Sequence, residues 1–128
     1  MHKKLITVQL REQRISPQKA RLVMNMVRGR DLDDAIAILS NTNKKSASIA
    51  LSLLKSAAAA AKDKDYQANK VTICESLVNE GRKFKRYFIR ARGRSTKFFK
   101  RSSHFKISLC LKEEGQTKKE IKGKKNGK

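Results

Sequence analysis

The side chains here that could do chemistry are cations, and they crowd into one stretch. RARGRSTKFFKR, Arg90 to Arg101, places six cationic residues among twelve and contains no acid. An arginine guanidinium offers a planar fork that engages phosphates in pairs and stacks on bases, while a lysine acts as a point charge. Gly93, Ser95 and Ser102 allow backbone to approach a sugar–phosphate chain closely. Aromatic residues are interleaved with the cations: Phe84, Tyr87, Phe88, Phe98 and Phe99. Such rings can stack on unpaired bases or pack against each other across a hairpin, and residue types alone leave both roles open. The chemistry on offer is non-covalent capture of a polyanion.

Covalent chemistry finds little support. His2 and His104 lie in unrelated contexts, and no acid near His104, Ser102 or Ser103 could orient a histidine base. DLDD (Asp31–Asp34) reads as negative charge at a helix N-terminus rather than a cation site. Neither GxxxxGK[ST] nor GxGxxG occurs, so no phosphate loop is encoded. Cys74 and Cys110 fit no metal spacing, and each falls in an apolar run. They read as reduced, buried small hydrophobes, which points weakly to a reducing, intracellular compartment. No enzyme, cofactor, metal or small-molecule substrate is expected.

The whole chain repeats the message of its basic stretch. Lys and Arg number 32 against 11 Asp and Glu, a formal net charge of +21 over 128 residues. The imbalance is concentrated: residues 1–80 carry 14 basic and 8 acidic side chains, residues 81–128 carry 18 and 3. From Gly81 to Lys112 there is no acid at all. Self-repulsion on this scale is tolerated best beside dense negative charge, with nucleic acid the first candidate and an anionic membrane the second. A membrane-active protein would carry its cations on an amphipathic helix, whereas these lie in β-patterned sequence. No apolar run is long enough to cross a bilayer, and the apolar part of MHKKLITVQL is too short and interrupted for a signal peptide.

The elements that must hold these cations are legible from pattern. KLITVQL (Lys4–Leu10) reads as a strand. In RISPQKARLVMNMVRGR, Ser16 is placed to cap a helix with Pro17 at its first position; Ala20, Val23, Met24 and Val27 recur at helical spacing, and Gly29 ends it. Asp31 is placed to cap a second helix with the stripe Leu32, Ala35, Ile36 and Leu39. Thr42 or Asn43 can cap a third, with the stripe Ala47, Ala50, Leu51, Leu54, Ala57, Ala58 and Ala61. VTICESLV (Val71–Val78) reads as a strand, and FKISLCLK (Phe105–Lys112) alternates with Phe105, Ile107, Leu109 and Leu111 on one face. These two runs flank the basic stretch and predict one long β-hairpin. Its root would bury Leu77, Val78, Ile107 and Leu109, and Arg92-Gly93 would supply the permissive backbone of its turn. A bare ribbon is marginal in water, so the outer half should be mobile alone and ordered by its partner. GQTKKEIKGKKNGK reads as a disordered, weakly anion-seeking tail.

Further cations border the first and third helices: Arg14, Lys19, Arg21, Arg28 and Arg30, then Lys44 and Lys45. No signature of a base-reading module accompanies them, which favours recognition of folded RNA by backbone and shape. Composition alone equally permits a free-standing RNA- or DNA-binding protein or RNA chaperone.

Three segments narrow the choice. RISPQKARLVMNMVRGRDLDDAIAIL, NTNKKSASIALSLLKSAAAAA and NEGRKFKRYFIRARGRSTKFFKRSSHFKISL together resemble the L-twenty-two family of large-subunit ribosomal proteins, of bacterial or organellar type. The resemblance runs from about Arg14 to Leu111. It implies an α+β fold: three helices on a small three-stranded antiparallel sheet, two of whose strands extend into a long basic β-hairpin. It implies one domain over 1–112, with the arm at about 82–104 and the tail at 113–128. It implies a structural role in the cytoplasm, within the ribosome, tying rRNA domains together during assembly. The arm tip would line the nascent-peptide exit tunnel close to the extension of ribosomal protein L-four, within reach of nascent chains. By position, the tip is Arg90, Ala91, Arg92, Gly93 and Arg94. The flanking rRNA contacts are Lys83, Lys85, Arg86, Lys97, Lys100, Arg101, Ser102, Ser103 and His104, and the first-helix group is Ser16, Lys19 and Arg21. Arg82 is a candidate phosphate contact by residue type alone. Arg82 and Ile89 stand where the family usually has proline, which leaves the free ribbon less restricted.

Overall fold

The computed structural model describes residues 4–112. The Lys-rich segment expected as a disordered tail, and His2, lie outside them. Strand β1 (Lys4–Gln13) leads into three helices: α1 (Pro17–Val27), α2 (Leu32–Asn41) and α3 (Lys45–Asp63). Four strands follow: β2 (Val71–Glu80), β3 (Phe84–Ile89), β4 (Ser95–Lys100) and β5 (Ser103–Leu111). β5 is the centre of an antiparallel sheet ordered β1–β5–β2, while β3 and β4 pair only with each other. The α+β arrangement is the expected one.

The core lies between the helices and one face of the sheet. Ala20, Val23, Met24 and Val27 of α1 are buried, as are Leu32, Ala35 and Leu39 of α2. From α3 come Ala47, Ala50, Leu53, Leu54, Ala57 and Ala61; the alanines leave room for close packing. Leu53 was outside the expected stripe, while Leu51, Ala58 and Ile36 are only partly buried. The sheet contributes Ile6, Val71, Ile73, Val78, Phe105, Ile107 and Leu109.

A bulge in β2 overturns two expectations. Ile73 pairs with Leu109 and Glu75 with Ser108, so Cys74 is the extra residue. An extra residue reverses the alternation beyond it. Val71 and Ile73 face the core before the bulge; Ser76 and Val78 do so after it, and the Ser76 hydroxyl donates to the Met24 carbonyl at 3.0 Å. Leu77, expected in the core of the root, therefore stands opposite Lys106 and is only half-buried. Leu111, the last residue of β5, is 44 % exposed.

The second correction concerns the cysteines. Cys74 and Cys110 are not reduced and separate: they form a disulfide between β2 and β5. Their Cα atoms are 5.8 Å apart, a separation that a disulfide spans without moving the backbone. The bulge makes this register possible, and no sequence spacing reports it. The compartment argument built on free thiols falls away with it.

The ends of α1 and α2 meet expectation in position and differ from it in how they are capped. Gly29 follows α1 with φ +74°, in the left-handed region that favours glycine. Ser16 and Asp31 occupy the N-cap positions of α1 and α2, but neither side chain caps its helix. Asp31 instead accepts from the Thr72 hydroxyl at 3.2 Å and from Lys112 Nζ at 2.7 Å, tying α2 to the end of the sheet. Helix α3 has Lys44 at its N-cap rather than Thr42 or Asn43, and no side-chain cap. The Thr42 hydroxyl is turned back onto the Ile38 carbonyl at 2.8 Å.

Candidate nucleic-acid interface

The β3–β4 ribbon is held by its own ladder and by very little side-chain burial. Phe84 pairs with Lys100, Arg86 with Phe98, Tyr87 with Lys97, and Ile89 with Ser95. Phe88 and Phe98 stack diagonally, their centroids 4.2 Å apart. Lys100 Nζ lies 5.5 Å from the Phe98 ring centre, and Lys97 Nζ 5.2 Å from that of Phe99. The two roles left open for the aromatics are thus divided. Phe98 is partly buried under Phe88, which itself stays 55 % exposed, and Tyr87 is 62 %, Ile89 90 % and Phe99 40 % exposed.

At the tip, Arg90 donates its amide to the Arg94 carbonyl at 2.7 Å, closing the turn. Both Arg92 (φ 59°) and Gly93 (φ 71°) are left-handed. Glycine adopts this conformation freely; arginine does so at a cost of roughly 1–2 kcal/mol. Between them they reverse the chain, so Arg90, Arg92 and Arg94 sit together at the end of the arm, all exposed.

The ribbon joins the body at a narrow waist. The Gly81 amide donates to the Ser102 carbonyl at 2.9 Å, and the Ser102 hydroxyl donates to the Arg82 carbonyl at 2.7 Å. A Cβ on Gly81 would lie 2.5 Å from Ser102 Oγ, so a side chain here would push that hydroxyl from its bond to Arg82. Ser102 and Ser103, counted among the candidate RNA contacts, are 2 % and 0 % exposed: they shape the waist from inside. His104 is only partly buried: its Nδ1 accepts the Glu12 amide at 3.0 Å and its Nε2 lies 3.9 Å from the Glu12 carboxylate, an acid near His104 that the sequence did not lead one to expect.

The remaining candidates fall into two groups. Arg21 and Arg28 direct their guanidinium groups at the outer edge of β2, donating to the Val78 carbonyl at 3.2 Å and the Ser76 carbonyl at 2.7 Å. They satisfy an otherwise unpaired sheet edge, a role that a list of cations could not separate from phosphate binding. Arg14, Lys19, Arg30, Lys44 and Lys45 are exposed on the body, as are Arg82, Lys83, Lys85, Arg86, Lys97, Lys100 and Arg101 on the arm. Lys83 makes an exposed contact with Glu80 at 3.6 Å.

Part of both groups converges. A cleft of about 450 Å³ between body and arm is lined by Arg14, Ser16, Lys45, Phe84, Arg86, Phe99, Lys100 and Arg101. Arg14 reaches over Phe84, its guanidinium carbon 5.9 Å from the ring centre. Sequence reasoning missed this meeting of three segments, although SPQK and NKK, each opening a helix without acid in its first turn, were a usable signal. Among the described residues no group of His, Cys, Asp and Glu is arranged to hold a metal, and no helix is long and apolar enough to cross a membrane.

Residues 8–110 match the family model described as ribosomal protein L22p/L17e. The chain belongs to this family. It is 48 % identical over 98 residues to the large ribosomal subunit protein uL22 of Mycoplasmopsis agalactiae, covering 76 % of this chain and 86 % of that one. The uL22 protein of Oceanobacillus iheyensis is 40 % identical over 103 residues, covering 80 % and 91 %. That of Thermomicrobium roseum is 41 % identical over 105 residues, covering 81 % and 89 %. As a member of the L22p/L17e family the chain is a structural protein of the large ribosomal subunit, not an enzyme. The match spans both body and arm, so the cleft and the ribbon lie within the family region.

Proposed function

We propose that this chain binds large-subunit rRNA along one basic surface, running from the cleft at the waist to the arm tip, and so ties separate rRNA segments together during subunit assembly. The observation that carries this reading is the arm itself. Its cations stand exposed on both faces of a ribbon whose only partly buried rings are Phe84 and Phe98. A ribbon of this kind has too little apolar burial to hold a fixed course alone, and phosphates on both sides would supply neutralisation and a scaffold. A body with an arm reaches two RNA segments, where a body alone would reach one.

Residues 1–112 act as one unit in this reading, with the arm at about 82–104. Arg90, Ala91, Arg92, Gly93 and Arg94 form the tip, which lines the peptide exit tunnel beside the extension of L-four and meets passing nascent chains. Arg14, Lys19, Arg30, Lys44, Lys45 and the arm cations contact phosphates. Ser102, Ser103, His104, Arg21 and Arg28 serve by holding the waist and the β2 edge in shape.

UV crosslinking in intact cells tests the proposal, with RNA sequenced from peptides covering Arg82–Arg101. Crosslinks confined to a few discrete large-subunit rRNA sites are expected, with the protein sedimenting at near one copy per large subunit. Crosslinks spread across mRNA or DNA, and protein spread through lighter fractions, would instead indicate a free-standing nucleic-acid binder.

A further inference from the structure

We infer that the cleft at the waist receives a single unpaired nucleotide of the bound RNA, its phosphate held by cations and its base held against aromatic surface. The inference rests on the rRNA-binding reading and adds to it a defined ligand at a defined place.

Four observations converge on it. The cleft volume of about 450 Å³ lies within the range of roughly 300–1,000 Å³ that small-ligand sites occupy, so it can enclose one nucleotide but not a duplex. Its lining includes Arg14, Lys45, Arg86, Lys100 and Arg101 and no acid, a composition that selects an anion.

Two helix N-termini also meet there. Ser16 is the N-cap of α1 and Lys45 the first residue of α3, and both line the cleft. Neither helix carries an acid in its first turn or a side-chain cap, so the positive ends of both dipoles are left unneutralised by the protein. Helix α2 has Asp33 and Asp34 in its first turn, and no α2 residue lines the cleft.

The fourth observation separates a nucleotide from a bare phosphate. Phe84 and Phe99 line the same cleft, and a phosphate alone has no use for them. Phe84 is overlaid by Arg14, a guanidinium-on-ring arrangement whose planar surface suits a base. Phe99, which pairs with Lys85 on the other face of the ribbon from Phe84, is 40 % exposed and so open to a base at the edge of the cleft. An extrahelical nucleotide satisfies the cations, the dipoles and the rings together; a paired one would present its phosphate but keep its base in the duplex.

The test uses the full-length protein and in vitro transcribed large-subunit rRNA. Ultraviolet crosslinking and mass spectrometry identify the nucleotide joined to Phe84 or Phe99, and chemical probing of free rRNA reports whether it is paired. The expected result is one unpaired nucleotide at these residues. An abasic substitution at that position should weaken wild-type binding roughly 5- to 100-fold, and Phe99→Ala by a similar factor. The two changes together should cost little more than either alone. Phe99→Leu, which keeps apolar volume but loses the π-face, should behave like Phe99→Ala, excluding a loss of fold. Tyr87→Ala, exposed on the ribbon beyond the cleft, serves as the aromatic control.

Several results would overturn the inference while leaving rRNA binding intact: crosslinks only elsewhere on the arm, a base-paired partner, or full additivity of the abasic and Phe99 changes. No measurable binding to large-subunit rRNA would overturn both the inference and the reading beneath it.

Discussion

Arg92 and Arg28 are both exposed arginines, yet they should respond to mutation in opposite ways. Arg92 makes no structural contact at the tip and holds a left-handed backbone. Arg92→Ala should change unfolding free energy by no more than about 0.5 kcal/mol, as surface substitutions do. Its effect should appear in RNA binding, lowering the slope of log affinity against log salt by about one phosphate contact. A core change such as Leu54→Ala, at 0 % exposure, should cost about 2–5 kcal/mol and provides the comparison in thermal melts. Arg28 donates at 2.7 Å to the Ser76 carbonyl on the β2 edge. Arg28→Ala should cost about 1.5–3 kcal/mol in a denaturant titration, the usual scale of a charge-assisted hydrogen bond, while Arg30→Ala should be nearly neutral. Equal effects of the two would remove the edge-capping role.

At the scale of elements, the waist and the β2–β5 pair decide how the arm is held. Gly81 allows the backbone of the outgoing strand to approach Ser102, and an added Cβ would meet both its hydroxyl at 2.5 Å and its carbonyl carbon at 3.2 Å. The hydroxyl could rotate away only by giving up its bond to Arg82, and the backbone cannot yield cheaply. Gly81→Ala should therefore destabilise by about 1–3 kcal/mol, the range of overpacking changes, and loosen the angle of the arm. Thermal melts measure the first effect and amide exchange across Phe84–Lys100 the second. The disulfide closes 36 residues of sequence, from β2 through the whole arm to β5. Chain-entropy reasoning assigns such a loop about 3–4 kcal/mol, so reductant should lower the unfolding free energy by that order. An unfolding curve unchanged by reductant would show that the two strands need no covalent link.

For the molecule as a whole, net charge is the governing quantity. A charge of +21 on 128 residues leaves the free protein repelling itself, and bound RNA removes that penalty by displacing its own counterions. If the arm engages about six phosphates, affinity for duplex-like RNA should fall roughly a thousandfold between about 50 and 200 mM salt. Filter binding across a salt series measures this directly, and a flat response would mean that the cations are not the contacts. The distribution of charge matters as much as its sum, because the acid-free region from Gly81 to Lys112 contains the arm.

The sequence by itself determined the three helices, the strands flanking the arm and the location of the basic region. Apolar periodicity, Pro17, Gly29 and the run of cations are local signals that need no tertiary partner to be read. The order of segments from Arg14 to Leu111 likewise carried the family resemblance, which the match over residues 8–110 bears out. Tertiary structure alone decided the rest. The bulge at Cys74 shifted the alternation of β2, exchanged Leu77 for Ser76 in the core and brought Cys74 to Cys110, because strand register is set by pairing rather than by pattern. Packing of α1 against β2 directed Arg21 and Arg28 onto the β2 edge, and burial at the waist removed Ser102 and Ser103 from the surface. The cleft is the extreme case: Arg14, Lys45 and Arg101 are distant in sequence, and only the folded chain places them on one concave surface.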